Sequence, residues 1–144
     1  MSDGIAEWEP GQMSNTLPIR VLIVDDNVTF LNQLEKWFIA RPDFEIVGKA
    51  RSGMDAIEQS NILHPALVVM DVAMPLMNGY EAAAKMTEGT HRPMIILISF
   101  FDIQDVFLDD DPMGHAFIKK DSLYEELLPA VARLFPCAGS SDRR

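Results

Sequence analysis

Five short apolar runs that alternate with helix-like segments are the feature that most constrains the fold of this chain. The runs are IRVLIV, FEIVGKA, ALVVM, MIILIS and HAFIK, and they are rich in residues that strands favour. Strands that are apolar along nearly their whole length are typical of parallel sheets with helices on both faces. The pattern therefore predicts an α/β fold built from five strand–helix units.

The segments between the runs carry the periodicity and the end signals of helices. Apolar residues recur at helical spacing in the first segment: Phe30, Leu31, Leu34, Trp37 and Phe38. Ser52 and Asn78 can cap the second and third helices, and residues 101–109 predict a weaker fourth helix. If the strand order is 2-1-3-4-5, right-handed crossovers place the first and fifth helices on one face and the other three on the opposite face.

The last predicted helix has a start signal and an internal proline. Ser122 and Glu125 have the spacing of a capping box, and Pro129 should kink the helix or delay its regular start. Its expected buried residues are Leu127, Leu128, Val131, Leu134 and Phe135.

Length and charge restrict the class of protein. The 144 residues suffice for one domain, expected at residues 19–136 between flexible tails at 1–18 and 137–144. A formal net charge of −10 argues against binding of nucleic acid or an anionic membrane by this chain. No signal-peptide pattern and no run near the ~20 apolar residues of a membrane helix are present, so we expect a cytoplasmic domain.

Acidic residues end two of the apolar runs. Asp25 and Asp26 follow the first run, and Asp71 follows the third. In a doubly wound sheet these ends meet at the switch point between strands one and three, where a working site is expected. Because carboxylates ~4 Å apart repel by about 4 kcal/mol per pair at an effective dielectric near 20, the cluster favours a cation. An open, oxygen-only site suits Mg²⁺, and Asp71 can serve as both ligand and phosphoryl-accepting nucleophile.

A hydroxyl and an ammonium are expected at the same edge of the sheet. Ser99 ends the fourth run, and Lys120 ends the fifth and offers a cation to phosphoryl oxygens. The alternative is that the three acids only cap helices or loops, that Ser99 caps a loop, and that Lys120 is a solvated surface lysine. The convergence of all five residues on one edge favours the functional interpretation.

Four motifs, taken in order, resemble the receiver domain of response regulators in two-component signalling: VLIVDDN, VVMDVAMPLMNG, IILIS and AFIKKD. The resemblance runs from about Arg20 to Phe135. It implies a flavodoxin-like sheet of order 2-1-3-4-5 and phosphorylation of Asp71 by a histidine kinase, a phosphotransfer protein or a small phosphodonor. It also implies a switch that is not an enzyme, with at most slow self-dephosphorylation, and an output protein bound through the fourth helix, fifth strand and fifth helix.

The resemblance also implies roles for single residues. Mg²⁺ is expected on Asp26, Asp71 and the main-chain carbonyl of Ala73, with Asp25 assisting partly through water. Ser99 matches the switch hydroxyl. Phe117 matches the switch aromatic, although plain strand packing remains the alternative for that side chain.

The two adjacent lysines are distinguished by their neighbours. Lys119 and Lys120 should lie on opposite faces of the strand, and the family pattern selects Lys120. Asp121 stands where the family usually has proline, so a cis bond there would cost ~3–4 kcal/mol. The sequence leaves the isomer of this bond open.

Two departures from the family pattern leave other functions open. Phe100 follows Ser99 where the family has a small residue, and we expect it at the mouth of the site, where it could slow loss of the phosphoryl group; packing on the fourth helix or a protein contact is the alternative. A degenerate receiver acting as a constitutive interaction module is a second function. A metal-dependent phosphohydrolase is a third, disfavoured because Ala73 stands where that class needs an acid.

Overall fold

The computed structural model describes residues 17–100 and 116–135. Its strands are β1 (Ile19–Val24), β2 (Phe44–Ala50), β3 (Leu67–Asp71), β4 (Met94–Ser99) and β5 (Ala116–Lys119). Its helices are α1 (Val28–Ile39), α2 (Gly53–Leu63), α3 (Gly79–Met86) and α4 (Leu123–Leu134), and a 3-10 turn spans Lys120–Ser122. The predicted fourth helix at 101–109 and the predicted tails, apart from Leu17 and Pro18, lie outside the described residues, so α4 is the last of the five predicted helices.

The strands form one parallel sheet in the order β2-β1-β3-β4-β5, which confirms the predicted doubly wound, flavodoxin-like α/β fold. β3 lies between β1 and β4, with Val24 opposite Met70 and Asp71 opposite Ile98. Ser99 pairs with Lys119 one step further along. The carboxyl ends of β1, β3, β4 and β5 therefore meet at one edge of the sheet.

Two apolar layers cover the sheet. Leu31, Leu34 and Phe38 of α1 pack in one layer with the buried face of α4. Ala56 of α2 and the buried face of α3 pack in the other layer. The predicted placement of the helices on the two faces is confirmed for the four helices described. None of these helices is both long and apolar enough to cross a membrane.

Two of the predicted helix starts are confirmed. The Ser52 hydroxyl accepts a hydrogen bond from the Asp55 N–H at 3.1 Å, which satisfies one free donor at the start of α2. Asn78 and Glu81 form a reciprocal capping box at α3, with bonds of 2.9 and 3.0 Å. This capping box fixes the end of the loop that follows β3.

The predicted start of the last helix is wrong in its contacts. Ser122 makes no capping bond: it is the last residue of the 3-10 turn, and its hydroxyl donates to the Glu126 carboxylate at 3.0 Å. Leu128 is 40% exposed rather than buried, since the stripe that faces the sheet runs through Leu123, Leu127, Ala130 and Val131. The helix is continuous through Pro129.

Candidate functional site

Three carboxylates converge at the carboxyl edge of the sheet. Asp25 follows β1, Asp26 comes next, and Asp71 is the last residue of β3; one oxygen from each lies within 4.8 Å of the others. Asp25 and Asp71 are buried, whereas Asp26 is exposed. The pairing of β1 with β3 brings the acids together, as the sequence predicts.

Lys120 joins the two buried carboxylates. Its ammonium donates to Asp25 Oδ2 at 2.8 Å and lies 3.3 Å from Asp71 Oδ1. The other Asp25 oxygen accepts from the Asn27 N–H at 2.8 Å. The Lys120 side chain is only 5% exposed, while Lys119 is exposed. The lysine that the sequence selects therefore lies in the cluster, and its bond to Asp121 is trans.

One cation does not balance the three acids. Burial raises the pKa of Asp71 to about 6, the neighbouring Asp25 adds to the rise, and Lys120 opposes it. A raised pKa means that the folded protein holds the charged carboxylate at a cost in free energy. The site as described thus carries uncompensated negative charge that a divalent cation would relieve.

A glycine allows the loop after β3 to close tightly on Asp71. A Cβ at Gly79 would lie 2.6 Å from the Asp71 carbonyl oxygen and 2.9 Å from Val72 Cα, and the Gly79 N–H donates to the Val72 carbonyl at 2.9 Å. Within this loop, Leu76 has a positive φ of 71° and is fully exposed. The first turn of α3 therefore lies directly against the backbone of the predicted phosphoacceptor.

The two predicted switch residues lie on neighbouring strands. Ser99 is buried at the end of β4, one position beyond the residue that pairs with Asp71. Phe117 is half-buried in β5, packs against the layer that contains α3, and has its ring centroid 5.8 Å from that of Tyr80. Ala73, the predicted carbonyl ligand, follows Asp71 by two residues and is exposed.

Two aromatic rings adjoin Lys120. The Phe100 ring centroid lies 4.9 Å from Lys120 Nζ, which places Phe100 beside the site as the sequence predicts, although this residue is 67% exposed. The Phe30 centroid lies 4.1 Å from the same nitrogen. From the sequence, Phe30 was assigned only to the apolar face of α1. The available signal was its place in the first turn of α1, three residues after the Asn27 cap that directly follows the acids.

Residues 21–132 match the response regulator receiver domain family. The chain belongs to this family. It is 31% identical over 115 residues to the transcriptional regulatory protein PdtaR of Mycobacterium tuberculosis, covering 80% of this chain and 56% of that protein. This chain thus spans about half the length of that curated relative.

Solved receiver structures show the same architecture. The signal receiver domain of the response regulator NarL from Mycobacterium tuberculosis is 26% identical with a TM-score of 0.71, covering 85% of this chain and 98% of that one. A CheX–CheY–BeF3–Mg²⁺ complex from Borrelia burgdorferi gives 26% identity and a TM-score of 0.72, covering 85% and 92%. Receiver domains are signalling modules rather than enzymes, and they act with histidine kinases or phosphotransfer proteins and with output domains.

Proposed function

We propose that this receiver accepts a phosphoryl group on Asp71 from a histidine kinase, a phosphotransfer protein or a small phosphodonor, and that the modified state changes partner binding. The observation that carries the proposal is the buried Lys120 ammonium, which contacts both Asp25 and Asp71 at the carboxyl edge of the sheet. Asp71 supplies the nucleophile, and Lys120 supplies a fixed cation for the phosphoryl oxygens.

The donor set fits Mg²⁺. The three acids offer only oxygen, Asp26 is exposed, and the pKa of Asp71 is raised by burial and by Asp25. Asp26, Asp71 and the Ala73 carbonyl are the proposed ligands; the oxygens of Asp25 already accept from Asn27 and Lys120, which suits a contact through water. When bound, the ion would neutralise charge on the phosphoryl group.

The transfer follows from the residues of the chain. A deprotonated Asp71 oxygen forms a bond to phosphorus while the bond from phosphorus to the donor nitrogen or oxygen breaks, and the leaving group takes a proton from solvent. Lys120 donates to an oxygen of the transferred group. Because Asp71 is held among Lys120, Asp25 and the tight Gly79 turn, little reorganisation is needed.

The response of the protein would pass through Ser99 and Phe117. Phosphorylation adds close to two negative charges and new acceptor oxygens at Asp71. Ser99 directly follows the β4 residue that pairs with Asp71. Its hydroxyl would move to donate to one of these oxygens, and the movement would leave space for Phe117 to turn inward. The modification would thus bias an existing equilibrium toward a state with a different partner surface.

The direct test is intact mass after incubation with phosphoramidate or acetyl phosphate and Mg²⁺. We expect wild type to gain one phosphoryl group and Asp71→Asn to gain none. Equal gain by Asp71→Asn would refute the assignment. Failure of wild type to gain phosphate or bind beryllofluoride would support the constitutive interaction module, and turnover of a phosphomonoester would support a phosphohydrolase.

The switch needs its own variant. Ser99→Ala should still accept phosphate on Asp71, but the chemical-shift changes should no longer extend to β5 and α4. An activated spectrum identical to that of wild type would reject this route.

A further inference from the structure

Lys120 has aromatic as well as acidic neighbours. The Phe30 and Phe100 ring centroids lie 4.1 and 4.9 Å from its ammonium nitrogen, within the ~6 Å at which a cation is attracted to a ring face. Asp25 and Asp71 contact the same ammonium at 2.8 and 3.3 Å. Two rings and two carboxylates therefore surround a side chain that is only 5% exposed.

The two rings differ in how firmly they are held. Phe100 is 67% exposed. Phe30 is half-buried, belongs to α1 and packs against the core layer that contains α1 and α4. The Phe30 ring is therefore held more firmly beside Lys120 than the Phe100 ring is.

A series of contacts that begins and ends at Asp25 connects Phe30 to the site. The Asn27 N–H donates to Asp25 Oδ1 at 2.8 Å, and the Asn27 side chain caps α1 by accepting from the Phe30 N–H at 3.0 Å. The Phe30 ring faces the Lys120 ammonium, and Lys120 returns to Asp25 at 2.8 Å. The helix cap that starts α1 thus also fixes a ring over the lysine.

We propose that Phe30 is a positioning residue that holds the Lys120 ammonium against Asp25 and Asp71 for contact with an incoming phosphoryl group. The proposal rests on the proposed function of Asp71. A lysine side chain has several rotatable bonds, and ordering it costs conformational entropy. With Phe30 in place the ammonium is restricted before the donor arrives, which is the condition for electrostatic stabilisation without reorganisation.

Three variants separate a ring contact from general packing. Phe30→Leu keeps an apolar side chain and removes the ring. Phe30→Tyr keeps the ring. Trp37→Leu removes a ring two helical turns farther along α1, where it packs on Phe38 and Tyr124 instead of Lys120.

The first readout is the NMR signal of the Lys120 ε-methylene in metal-free protein. Ring currents should place this signal upfield in wild type and Phe30→Tyr, and it should move toward its ordinary position in Phe30→Leu. The second readout is the rate of phosphorylation by phosphoramidate below saturation with Mg²⁺. We expect about a fivefold loss in Phe30→Leu, equivalent to about 1 kcal/mol, and near wild-type rates in Phe30→Tyr and Trp37→Leu.

An ordinary Lys120 signal in wild type would overturn the proposal even if Phe30→Leu failed to fold. A folded Phe30→Leu with the wild-type signal and rate would overturn it as well. A rate lost equally in Phe30→Leu and Trp37→Leu would mean that packing is the whole effect. If wild type gains no phosphoryl group, the proposed function fails and takes this role with it, whereas an unchanged Phe30→Leu rejects the role alone.

Discussion

The amino and carboxyl edges of the sheet both carry polar side chains, but the bonding partners of these side chains differ. At the amino edge, Arg20 donates to the carbonyls of Leu63 and His64 at 2.8 and 2.9 Å, and a ring nitrogen of His91 contacts the carbonyl of Pro65. At the carboxyl edge, Asp25, Asp26 and Asp71 face one another, with Lys120 as the cation that pairs with two of them.

The polar groups at the amino edge stabilise local structure, whereas those at the carboxyl edge repel one another. The acceptors at the amino edge are neutral main-chain carbonyls between the end of α2 and the start of β3, so Arg20 completes local structure. Mutually repelling carboxylates do not favour folding: burial raises the pKa of Asp71 to about 6, and the neighbouring Asp25 adds to the rise. A cluster of this kind supports the proposed cation site and the proposed phosphoryl acceptor.

The largest expected effect comes from Lys120→Met. Removing one partner of a buried ion pair leaves Asp25 and Asp71 uncompensated, and we expect a loss of about 3 kcal/mol in metal-free unfolding free energy. Phosphorylation should also slow by about a hundredfold, the result of about 2.7 kcal/mol. Lys49→Met is the matched control, because Lys49 pairs with Glu35 at 2.9 Å on the exposed surface and should cost below about 1 kcal/mol. Equal losses in denaturant unfolding would contradict the comparison.

The next effect is a gain in stability. Asp71→Asn should stabilise the metal-free protein by about 2 kcal/mol at pH 7, since it removes a buried charge beside Asp25. The folded pKa of Asp71 is raised to about 6, and the unfolded value is about 3.9, so wild type loses stability as pH rises through that window. The extra stability of Asp71→Asn over wild type should therefore grow between about pH 4 and pH 6 and vanish below about pH 4.

Asp43→Asn is the control variant for this measurement. Asp43 is also buried, burial raises its pKa, and its Oδ1 lacks a hydrogen-bond partner among the described residues. Thermal unfolding with and without Mg²⁺ separates the two acids. The ion should stabilise wild type and Asp43→Asn and leave Asp71→Asn nearly unchanged; a similar response in Asp71→Asn would place the ion elsewhere.

A smaller effect concerns the lifetime of the phosphorylated state. Phe100 lies beside Lys120, and Ala73 offers no side chain to orient a water. If Phe100 shields the approach of water, Phe100→Ala should lose phosphate about tenfold faster, the result of about 1.4 kcal/mol, with little change in thermal stability. Lower stability with an unchanged rate would assign Phe100 to packing instead.

The smallest effect belongs to the amino edge. Arg20→Met removes two hydrogen bonds to main-chain carbonyls, which should cost about 1 kcal/mol in unfolding free energy at this partly exposed position. Mg²⁺ affinity and phosphorylation rate should stay at wild-type values. A change in either would show that the two edges are coupled.

The parallel sheet and the acid cluster were predictable from the pattern of apolar runs and acids, whereas the strand order came from the resemblance to receiver domains. Apolar runs fixed the strands, and parallel pairing necessarily brings the residues after β1 and β3 to one edge. The Ser52 and Asn78 caps were predictable for the same reason, since a cap is a contact between near neighbours in the chain.

Contacts between segments that are distant in the chain could not be predicted from the sequence. Phe30 read as a core residue, and only the folded chain shows its ring over Lys120, 90 positions away. Leu128 was wrongly expected to be buried, since Leu127 beside it takes the face toward the sheet. The Ser122–Glu125 spacing matched a capping box, but the 3-10 turn redirected the hydroxyl to Glu126.

The central claim, that the carboxyl edge is a phosphoacceptor site and the amino edge is structural, is tested most directly by amide NMR with Mg²⁺ before and after beryllofluoride. We predict large shifts around Asp71, Ser99 and Lys120 that extend through Phe117 into α4, with the amides around Arg20, His64 and His91 unmoved. A spectrum that does not respond to Mg²⁺ and beryllofluoride, or responds equally at both edges, would contradict the account.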